Sequence, residues 1–341
     1  MSHSSPERLA AVRTVEIEDL GGAGKGFMSG VARVALTYDN MGTPGPASVV
    51  VKLMAEEGLG KDIAMEGNVY ARELMFYRSV APRSPIRLPK CYYTVIDAEA
   101  DDYAIVMEDA AGWYNADDVK GMDLADAEAA IRMIARFHAR WWQSPDLATF
   151  DWVPTRLFDD PGAFAEFWPG FCDRHDFEME DRDRAAGERI AANGEAIAKA
   201  MAGGPRTLAH GDFRAGNIML TDRSDLDRVM VIDWQWMSRI VGVFDVARLA
   251  CGSLTETLAR ADHERLVGIW HQELTDHGVI GYSFSDAWAD YLASILQFTY
   301  VPVACHTLFS HEGKRSKDLL HAFIRRSFHA VAECQALDRL G

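Results

Sequence analysis

The chain has 341 residues, a length typical of about two domains at roughly 150 residues each. Its 51 acidic against 35 basic side chains leave a net charge of −16, which repels phosphate backbones and disfavours nucleic-acid partners. No apolar run of 18 residues predicts a membrane span, the start MSHSSPERLA lacks the apolar core of a secretion signal, and the five scattered cysteines are typical of reduced thiols. We therefore expect a cytoplasmic protein with no membrane partner; composition leaves the oligomeric state open.

The first predicted elements form a glycine-dense turn followed by two strands. Residues 21–30 read GGAGKGFMSG, and the β-branched, apolar segment Val31–Tyr38 comes directly after them. A connector rich in Gly and Pro then leads to a second such segment, Ala47–Met54, which carries Lys52 among valines. The sequence thus predicts a glycine loop, a strand, a turn and a second strand with a lysine inside it.

A helix and another strand pair are predicted next. Residues 63–80 contain no proline and have loosely periodic apolar positions, which favours one helix. Three prolines then mark a loop, and Cys91–Asp97 and Tyr103–Met107 are predicted to be strands joined by an acidic turn.

The pattern changes near residues 107–112, after which helical segments dominate. The first of them is predicted over Leu124–Gln143. We therefore predict an α+β protein with a small, mainly β lobe over 1–107 and a larger, mainly helical lobe over 108–341.

The strongest chemical motif is HGDFRAGN, which starts at His210 and is followed by an apolar strand and then by Val-Ile-Asp-Trp. Phosphoryl transfer needs a carboxylate that orients the acceptor hydroxyl, and Asp212 supplies one. It also needs oxygen ligands for Mg²⁺ between the phosphates, and Asn217 and Asp233 supply an amide and a carboxylate. This arrangement follows the H-x-D-x-x-x-x-N logic of kinase catalytic loops, with Asp233 as the later metal-binding aspartate.

These motifs carry a family resemblance. HGDFRAGN followed by IDWQ resembles the aminoglycoside phosphotransferase and choline-kinase-like superfamily of small-molecule kinases. The segments YARELMFYRSVAPR, YAIVMEDAAG and ARFHARWW resemble its ecdysteroid-kinase-like branch, so the resemblance covers the whole chain. It implies a bilobal, protein-kinase-like fold with a five-stranded first lobe, adenine bound between the lobes, ATP and Mg²⁺ as cofactors, and a small-molecule hydroxyl as acceptor.

The resemblance assigns phosphate-binding roles to the first lobe. Lys52 matches the strand lysine that holds the α- and β-phosphates, and Glu73 matches the helix glutamate that pairs with it. Glu66, seven residues earlier on the same predicted helix, remains an alternative partner. Backbone amides of the glycine loop are implied to cover the phosphates; they belong to Phe27, Met28 and Ser29. Backbone groups of the hinge are implied to bind adenine; they belong to Met107, Glu108 and Ala110.

The resemblance assigns the chemistry to the second lobe. It makes Asp212 the catalytic base and Asn217 and Asp233 the magnesium ligands. Arg214 either helps to neutralise the transferring phosphoryl group or binds a nearby carboxylate. Two further residues are implied to be structural supports of the loop, namely His210 and Asp245.

These observations favour an ATP- and Mg²⁺-dependent kinase of a small molecule over two rivals. A nucleotide-binding pseudokinase is disfavoured because every catalytic and metal position is filled. A protein kinase is disfavoured because only eleven residues separate Asp233 from Asp245, too few for a peptide-docking activation loop.

The acceptor itself stays open among aminoglycoside, choline, sugar, steroid and aromatic alcohol. The branch resemblance favours a hydrophobic or amphipathic alcohol. The distribution of charged residues bears on the charge of the acceptor, because 37 of the 51 acidic residues and 24 of the 35 basic ones follow residue 107. If part of this excess rims the acceptor pocket, a cationic acceptor is favoured over an anionic one.

Overall fold

A computed structural model describes residues 10–20, 29–39, 42–55, 57–97, 102–156, 160–174, 177–222, 228–254, 258–308 and 313–340. The contacts divide the chain into two compact units. One unit runs to Pro82 and resumes over Leu88–Gly112; the other comprises Arg83–Arg87 and everything from Trp113 onward. In the described part of the chain, no helix is both long and apolar enough to cross a membrane.

The first unit contains an antiparallel sheet of five strands, in the order β1-β2-β3-β5-β4. The strands are β1 (Val12–Asp19), β2 (Ser29–Tyr38), β3 (Ser48–Met54), β4 (Cys91–Asp97) and β5 (Asp102–Glu108). Strand β3 is central, and its Lys52 stands in register between Val31 of β2 and Ile105 of β5. The predicted strands of this region are confirmed, and the sheet places Lys52 where both flanking strands shield its stem from water.

The single helix predicted over 63–80 is wrong, because the chain breaks in its middle. Helix α1 (Leu59–Glu66) ends before Gly67, and helix α2 (Val69–Met75) begins after Asn68, whose φ of 52° and ψ of 32° are left-handed. A left-handed residue ends a right-handed helix, and Asn tolerates that conformation better than most residues. Glu66 and Glu73 therefore lie on different helices, and their spacing of seven residues does not place them on one helix face.

Helix α2 continues as a π-helical turn, Phe76–Val80, and buries its apolar side chains within the first unit. Leu74 is fully buried, as are Ile105 and, at 1% exposure, Tyr103 on strand β5. Burying a large apolar side chain contributes about 1.5–3 kcal/mol relative to leaving it exposed. This packing positions the polar residues of α2 against the sheet.

The second unit is mainly helical. Its helices are α3 (Leu124–Trp141), α4 (Ala163–Cys172), α5 (Asp181–Ala192), α6 (Gly194–Gly203), α7 (Val243–Ser253), α8 (Arg260–Asp276), α9 (Phe284–Phe298), α10 (Tyr300–Leu308) and α11 (Lys314–Glu333). Its strands are β6 (Tyr114–Asn115), β7 (Thr207–Ala209), β8 (Ile218–Leu220), β9 (Val229–Val231) and β10 (Ser238–Ile240). The predicted α+β class, with one mainly β and one mainly helical part, is confirmed.

Two small antiparallel pairings of the second unit position the HGDFRAGN loop. Strand β7 leads directly into His210 and pairs with β10, while β8 leaves Asn217 and pairs with β9. Pairing of Ile218 with Val231 brings the end of the loop beside the segment that enters Asp233. Helix α7, in which every residue is buried, passes under this region as part of the core.

Candidate functional site

Lys52 and Glu73 form a buried ion pair inside the first unit. Lys52 Nζ lies 2.5 Å from Glu73 Oε2, and the two side chains are 9% and 1% exposed. The hydroxyl of Tyr103 donates to the same Glu73 oxygen at 3.2 Å. Glu66 is exposed, on the other helix. The structure therefore pairs Lys52 with Glu73, the partner that the resemblance implied.

The predicted phosphate-covering segment is described only at its end. Phe27 and Met28 lie outside the described residues. Ser29 is the first residue of β2 and is 6% exposed; its Oγ is buried and has no hydrogen-bond partner among the described residues.

The predicted hinge residues lie at the end of strand β5 and just beyond it. Met107 is 7% exposed and pairs in register with Val50 of β3. Glu108 accepts a hydrogen bond from the backbone N–H of Lys90 at 3.0 Å, and Ala110 is half-buried after the strand has ended.

Asp109 is a residue of this segment that sequence reasoning missed. Its carboxylate accepts hydrogen bonds from Ser48 Oγ at 2.7 Å and from Arg33 Nε at 2.9 Å, and it is only 6% exposed. These bonds fasten the start of the hinge to strands β2 and β3. The resemblance assigned backbone roles here, so it gave no signal for a side chain.

Glycine is required at position 211 of the HGDFRAGN loop. Gly211 has a φ of 82°, a backbone conformation that other residues rarely adopt. A Cβ added there would stand 2.2 Å from the carbonyl oxygen of Trp236. The loop can therefore turn sharply between His210 and Asp212 only with glycine at this position.

Asp212 accepts three hydrogen bonds on its two carboxylate oxygens and has one further ion-pair contact. Oδ1 accepts from Arg248 Nε at 3.0 Å and lies 2.9 Å from Arg248 NH2, while Oδ2 accepts from Arg214 Nε at 3.2 Å and from Asn217 Nδ2 at 3.0 Å. Burial raises the pKa of Asp212, but the charges of Arg248 and then Arg214 outweigh it and hold the pKa below its usual value. Asp212 is therefore a fixed, ionised carboxylate at neutral pH, suited to orienting a hydroxyl.

Asn217 and Asp233 offer oxygen ligands beside this carboxylate. Asn217 Nδ2 also donates to the main-chain oxygen of Asp212 at 2.9 Å; both of its partners are acceptors, so the amide nitrogen faces them and the amide oxygen points elsewhere. Ile232 N–H donates to the Asn217 carbonyl oxygen at 3.0 Å, which ties Asp233 to the loop. One amide and one carboxylate oxygen fit Mg²⁺, which completes its shell with phosphate and water.

Arg214 bridges two carboxylates. Its Nε donates to Asp212, and its NH1 makes a short hydrogen bond to Asp118 Oδ2, so two of its donors are taken by acids of this unit. Asp118 also accepts from Gly216 N at 3.1 Å and from Ser253 Oγ at 2.8 Å. Burial lowers the pKa of Arg214, but Asp212 and Asp118 raise it above its usual value. Sequence reasoning missed Asp118, which lies 96 residues from Arg214.

His210 supports the loop through hydrogen bonds. Its Nδ1 accepts from the Asp212 N–H at 3.2 Å and its Nε2 bonds the Ile232 carbonyl at 3.0 Å, so the proton sits on Nε2. Burial lowers the pKa of His210, which keeps the ring neutral at pH 7. The predicted supporting role agrees with this geometry.

Asp245 fastens the start of the loop to helix α7. It accepts from His210 N–H at 2.6 Å and from Gly211 N–H at 2.9 Å. His138 Nε2 lies 3.1 Å from it, and the indole N–H of Trp270 donates to His138 Nδ1 at 3.0 Å. Because the indole is a pure donor, His138 carries its proton on Nε2 and donates to Asp245.

Arg248 is the second arginine on Asp212, and sequence reasoning missed it. Its side chain is 3% exposed and lies between the rings of Phe298 and Phe323, whose centroids are 4.8 and 4.9 Å from its guanidinium carbon. Gly252 makes room for it, since a Cβ there would stand 2.1 Å from Arg248 NH1. The available signal was the arginine itself, since a charge inside the apolar run VFDVARLACG must have a partner when buried.

Solved structures of small-molecule kinases share this fold along nearly the whole chain. The ethanolamine kinase of Plasmodium vivax is 12% identical with a TM-score of 0.54, covering 94% of this chain and 81% of its own. An aminoglycoside phosphotransferase of Alicyclobacillus acidocaldarius is 12% identical with a TM-score of 0.53 and coverages of 96% and 92%. The aminoglycoside 2′-phosphotransferase-IIIa, solved with GDP, is 10% identical with a TM-score of 0.55, covering 94% of each chain. At such identities the likeness shows the fold alone.

Sequence comparisons agree with the fold. An uncharacterised kinase-like protein of Caenorhabditis elegans is 23% identical over 261 residues, which span 73% of this chain and 67% of the relative. The model of the ecdysteroid kinase-like family matches residues 23–140 and 162–279, more than half of the chain and including every predicted site residue. With its buried Lys52–Glu73 pair and its HGDFRAGN loop, the chain belongs to the ecdysteroid kinase-like family.

Proposed function

We propose that this protein is a kinase that transfers the γ-phosphoryl group of ATP to a hydroxyl of a small molecule in the presence of Mg²⁺. One observation carries the proposal: Asp212 is an ionised carboxylate held by Arg214 and Arg248, with the amide nitrogen of Asn217 on the same carboxylate. Such a group is suited to accepting a hydrogen bond from an acceptor hydroxyl.

Asp212 is proposed to orient the acceptor. The hydroxyl donates to its carboxylate, which aims an oxygen lone pair at the γ-phosphorus. A new oxygen–phosphorus bond forms while the bond to the β–γ bridging oxygen breaks, and that electron pair leaves with the nucleoside diphosphate. The hydroxyl proton passes to Asp212 and then to solvent. Because the pKa of Asp212 is low, alignment contributes more than basicity.

Lys52, Asn217 and Asp233 are proposed to offset phosphate charge. Lys52 is held by Glu73 and would bind phosphate oxygens as a point charge. Asn217 and Asp233 would hold Mg²⁺, which when bound neutralises phosphate oxygens. Mg²⁺ dependence rests on the hard oxygen donors of this pair.

Both the nucleotide and the acceptor have to be chosen for an activity screen. The solved relative in complex with GDP argues for testing GTP beside ATP. Ethanolamine and aminoglycosides, named in two relatives, are hydroxyl compounds that carry amino groups and are cationic at neutral pH. The acidic residues after 107 agree with that charge, so amino alcohols are the first acceptor class to test, followed by amphipathic alcohols.

A screen of purified protein tests the proposal. Release of nucleoside diphosphate is followed with ATP or GTP, Mg²⁺ and a library of alcohols, in parallel for the wild type and Asp212→Asn. The proposal requires acceptor-dependent release that Asp212→Asn lowers by about 100-fold or more. Tight nucleotide binding without turnover on any acceptor would instead favour a pseudokinase.

A further inference from the structure

The carboxylate of Asp212 has no uncontacted oxygen for an acceptor in the present arrangement. Each of its two oxygens already has two side-chain nitrogens within 3.2 Å: both are from Arg248 at Oδ1, and they are from Arg214 and Asn217 at Oδ2. If Asp212 receives a substrate hydroxyl, as the proposed function requires, one of these donors must leave it. Which donor leaves decides which oxygen of Asp212 faces the acceptor.

Arg248 is the donor least able to move. Its Nε and NH2 both contact Oδ1, its side chain is 3% exposed, and the rings of Phe298 and Phe323 cover its guanidinium. Withdrawing it would leave a buried charge without its anion, which is costly.

Asn217 is also fixed. It is 3% exposed, and its amide nitrogen holds the main-chain oxygen of Asp212 as well as Oδ2. Rotating it away would break two hydrogen bonds within the loop.

Arg214 is the exchangeable donor. Its distance to Oδ2 is the longest of the four contacts at 3.2 Å, and its side chain is 27% exposed, the highest exposure among the three donor residues. It need not leave the site, because its NH1 stays on Asp118, which Gly216 N and Ser253 Oγ hold in place. A small rotation about that anchor frees Oδ2.

We propose that Arg248 is a positioning residue that keeps Oδ1 of Asp212 occupied and so assigns Oδ2 to the acceptor hydroxyl, which replaces Arg214 Nε there. This inference rests on the proposed function and names the atom at which it operates. The two arginines then have opposite roles: Arg248 stays and aligns the carboxylate, while Arg214 competes with the acceptor for it.

The test measures kcat, acceptor KM and nucleotide Kd for variants of the full chain with the best acceptor from the screen. Arg248→Ala is expected to lower kcat by about 100-fold with little change in KM, since misplacing an aligned group by about 1 Å can cost that much. Added methylguanidinium should restore part of that kcat by entering the space between the two phenylalanine rings. Arg214→Ala is expected to lower acceptor KM by about 3- to 10-fold, because it removes a hydrogen bond that competes for Oδ2.

Two further variants distinguish a misaligned Asp212 from a misfolded protein. Gly252→Ala keeps every charge but displaces Arg248 NH1, so it should lower kcat in the same direction as Arg248→Ala. Arg239→Ala is the matched control, because Arg239 donates to the carbonyls of Val153 and Leu147 and not to Asp212. Its kcat should not increase when methylguanidinium is added.

The outcomes separate the two proposals. A wild type without acceptor-dependent turnover overturns the proposed function. An active wild type whose kcat is unchanged in both Arg248→Ala and Gly252→Ala overturns the inference alone, as does an unchanged or raised acceptor KM in Arg214→Ala.

Discussion

Lys52 and Glu73 are joined by an ion pair of 2.5 Å in which neither side chain is more than 9% exposed. Breaking a buried pair by removing one partner leaves a charge without compensation, which typically costs about 3–5 kcal/mol. Removing either partner is therefore expected to destabilise the first unit, apart from any role of the pair toward phosphate.

Glu73→Gln tests the pair. We expect it to lower the free energy of unfolding by about 3 kcal/mol or more and to weaken nucleotide binding, because Lys52 loses the anion that fixes it. Urea unfolding and nucleotide titration measure the two effects. Glu264→Gln is the control: it breaks an exposed pair of 2.8 Å with Arg260, and it should cost far less stability than Glu73→Gln. Equal losses of unfolding free energy in the two variants would contradict the claim that burial makes the Lys52–Glu73 pair costly to break.

Asp233 calls for a particular probe, because its φ of 67° and ψ of 59° are left-handed. Asn adopts this conformation more readily than Ala, so Asp233→Asn should keep the fold while removing the charge that would hold Mg²⁺. We expect turnover to fall by about 100-fold or more and the Mg²⁺ requirement to rise. Turnover of the variant across a Mg²⁺ series checks this. Normal turnover at low Mg²⁺ would exclude Asp233 as a ligand.

Asp245→Asn tests the anchoring of the loop. The substituted amide cannot accept on both sides, so one of the N–H groups of His210 and Gly211, or His138, loses its acceptor. We expect a loss of about 3 kcal/mol in the free energy of unfolding, measured by chemical denaturation. Asp262→Asn, which changes an exposed helix start, should cost about 1 kcal/mol or less. An unchanged free energy of unfolding in Asp245→Asn would argue against the role of Asp245 in holding the loop.

The buried histidine His263 is expected to make the protein less stable in mild acid. Burial, and then the charge of His329, lower its pKa to about 4, although Asp262 and Glu333 oppose the shift. Between pH 6.5, the ordinary pKa of histidine, and pH 4, His263 binds a proton in the unfolded chain but not in the folded one. The contribution of His263 to the free energy of unfolding is therefore complete above pH 6.5 and falls as the pH drops. A shift of this size corresponds to about 3 kcal/mol.

The pH dependence of unfolding measures this contribution. His263→Asn keeps a polar partner for Tyr291, whose hydroxyl lies 2.6 Å from His263 Nδ1, and should flatten the profile between pH 6.5 and 4. His277→Asn, at a histidine that is 40% exposed, is measured beside it as a control for the substitution itself. A wild-type slope retained in His263→Asn would show that other groups cause it.

The strands and the loop were predictable because they depend on local pattern. Runs of β-branched and apolar residues, together with the glycine-rich turns beside them, predicted the strands around Lys52, and the spacing within HGDFRAGN placed Asp212 and Asn217 in one loop. The break of the helix at Asn68 was not predicted, because a left-handed residue interrupts the helix without disturbing its apolar periodicity.

Arg248, Asp118 and Asp109 were missed for a different reason. Their partners are 36, 96 and 76 residues away in sequence, so only tertiary packing brings them together. Each carries a charge with a side chain no more than 7% exposed. A buried charge needs a partner, but sequence pattern indicates neither which charges are buried nor which partners they meet.

The most direct test of the account is whether a phosphomonoester of a small alcohol forms in the presence of the protein. Purified wild type and Asp212→Asn are incubated with Mg²⁺, ATP or GTP and an amino alcohol library, and products are followed by phosphorus NMR. The account predicts a phosphorylated acceptor with the wild type and a rate lower by about 100-fold or more with Asp212→Asn. Equal product with both proteins, or none with the wild type while it binds nucleotide and Mg²⁺, would contradict it.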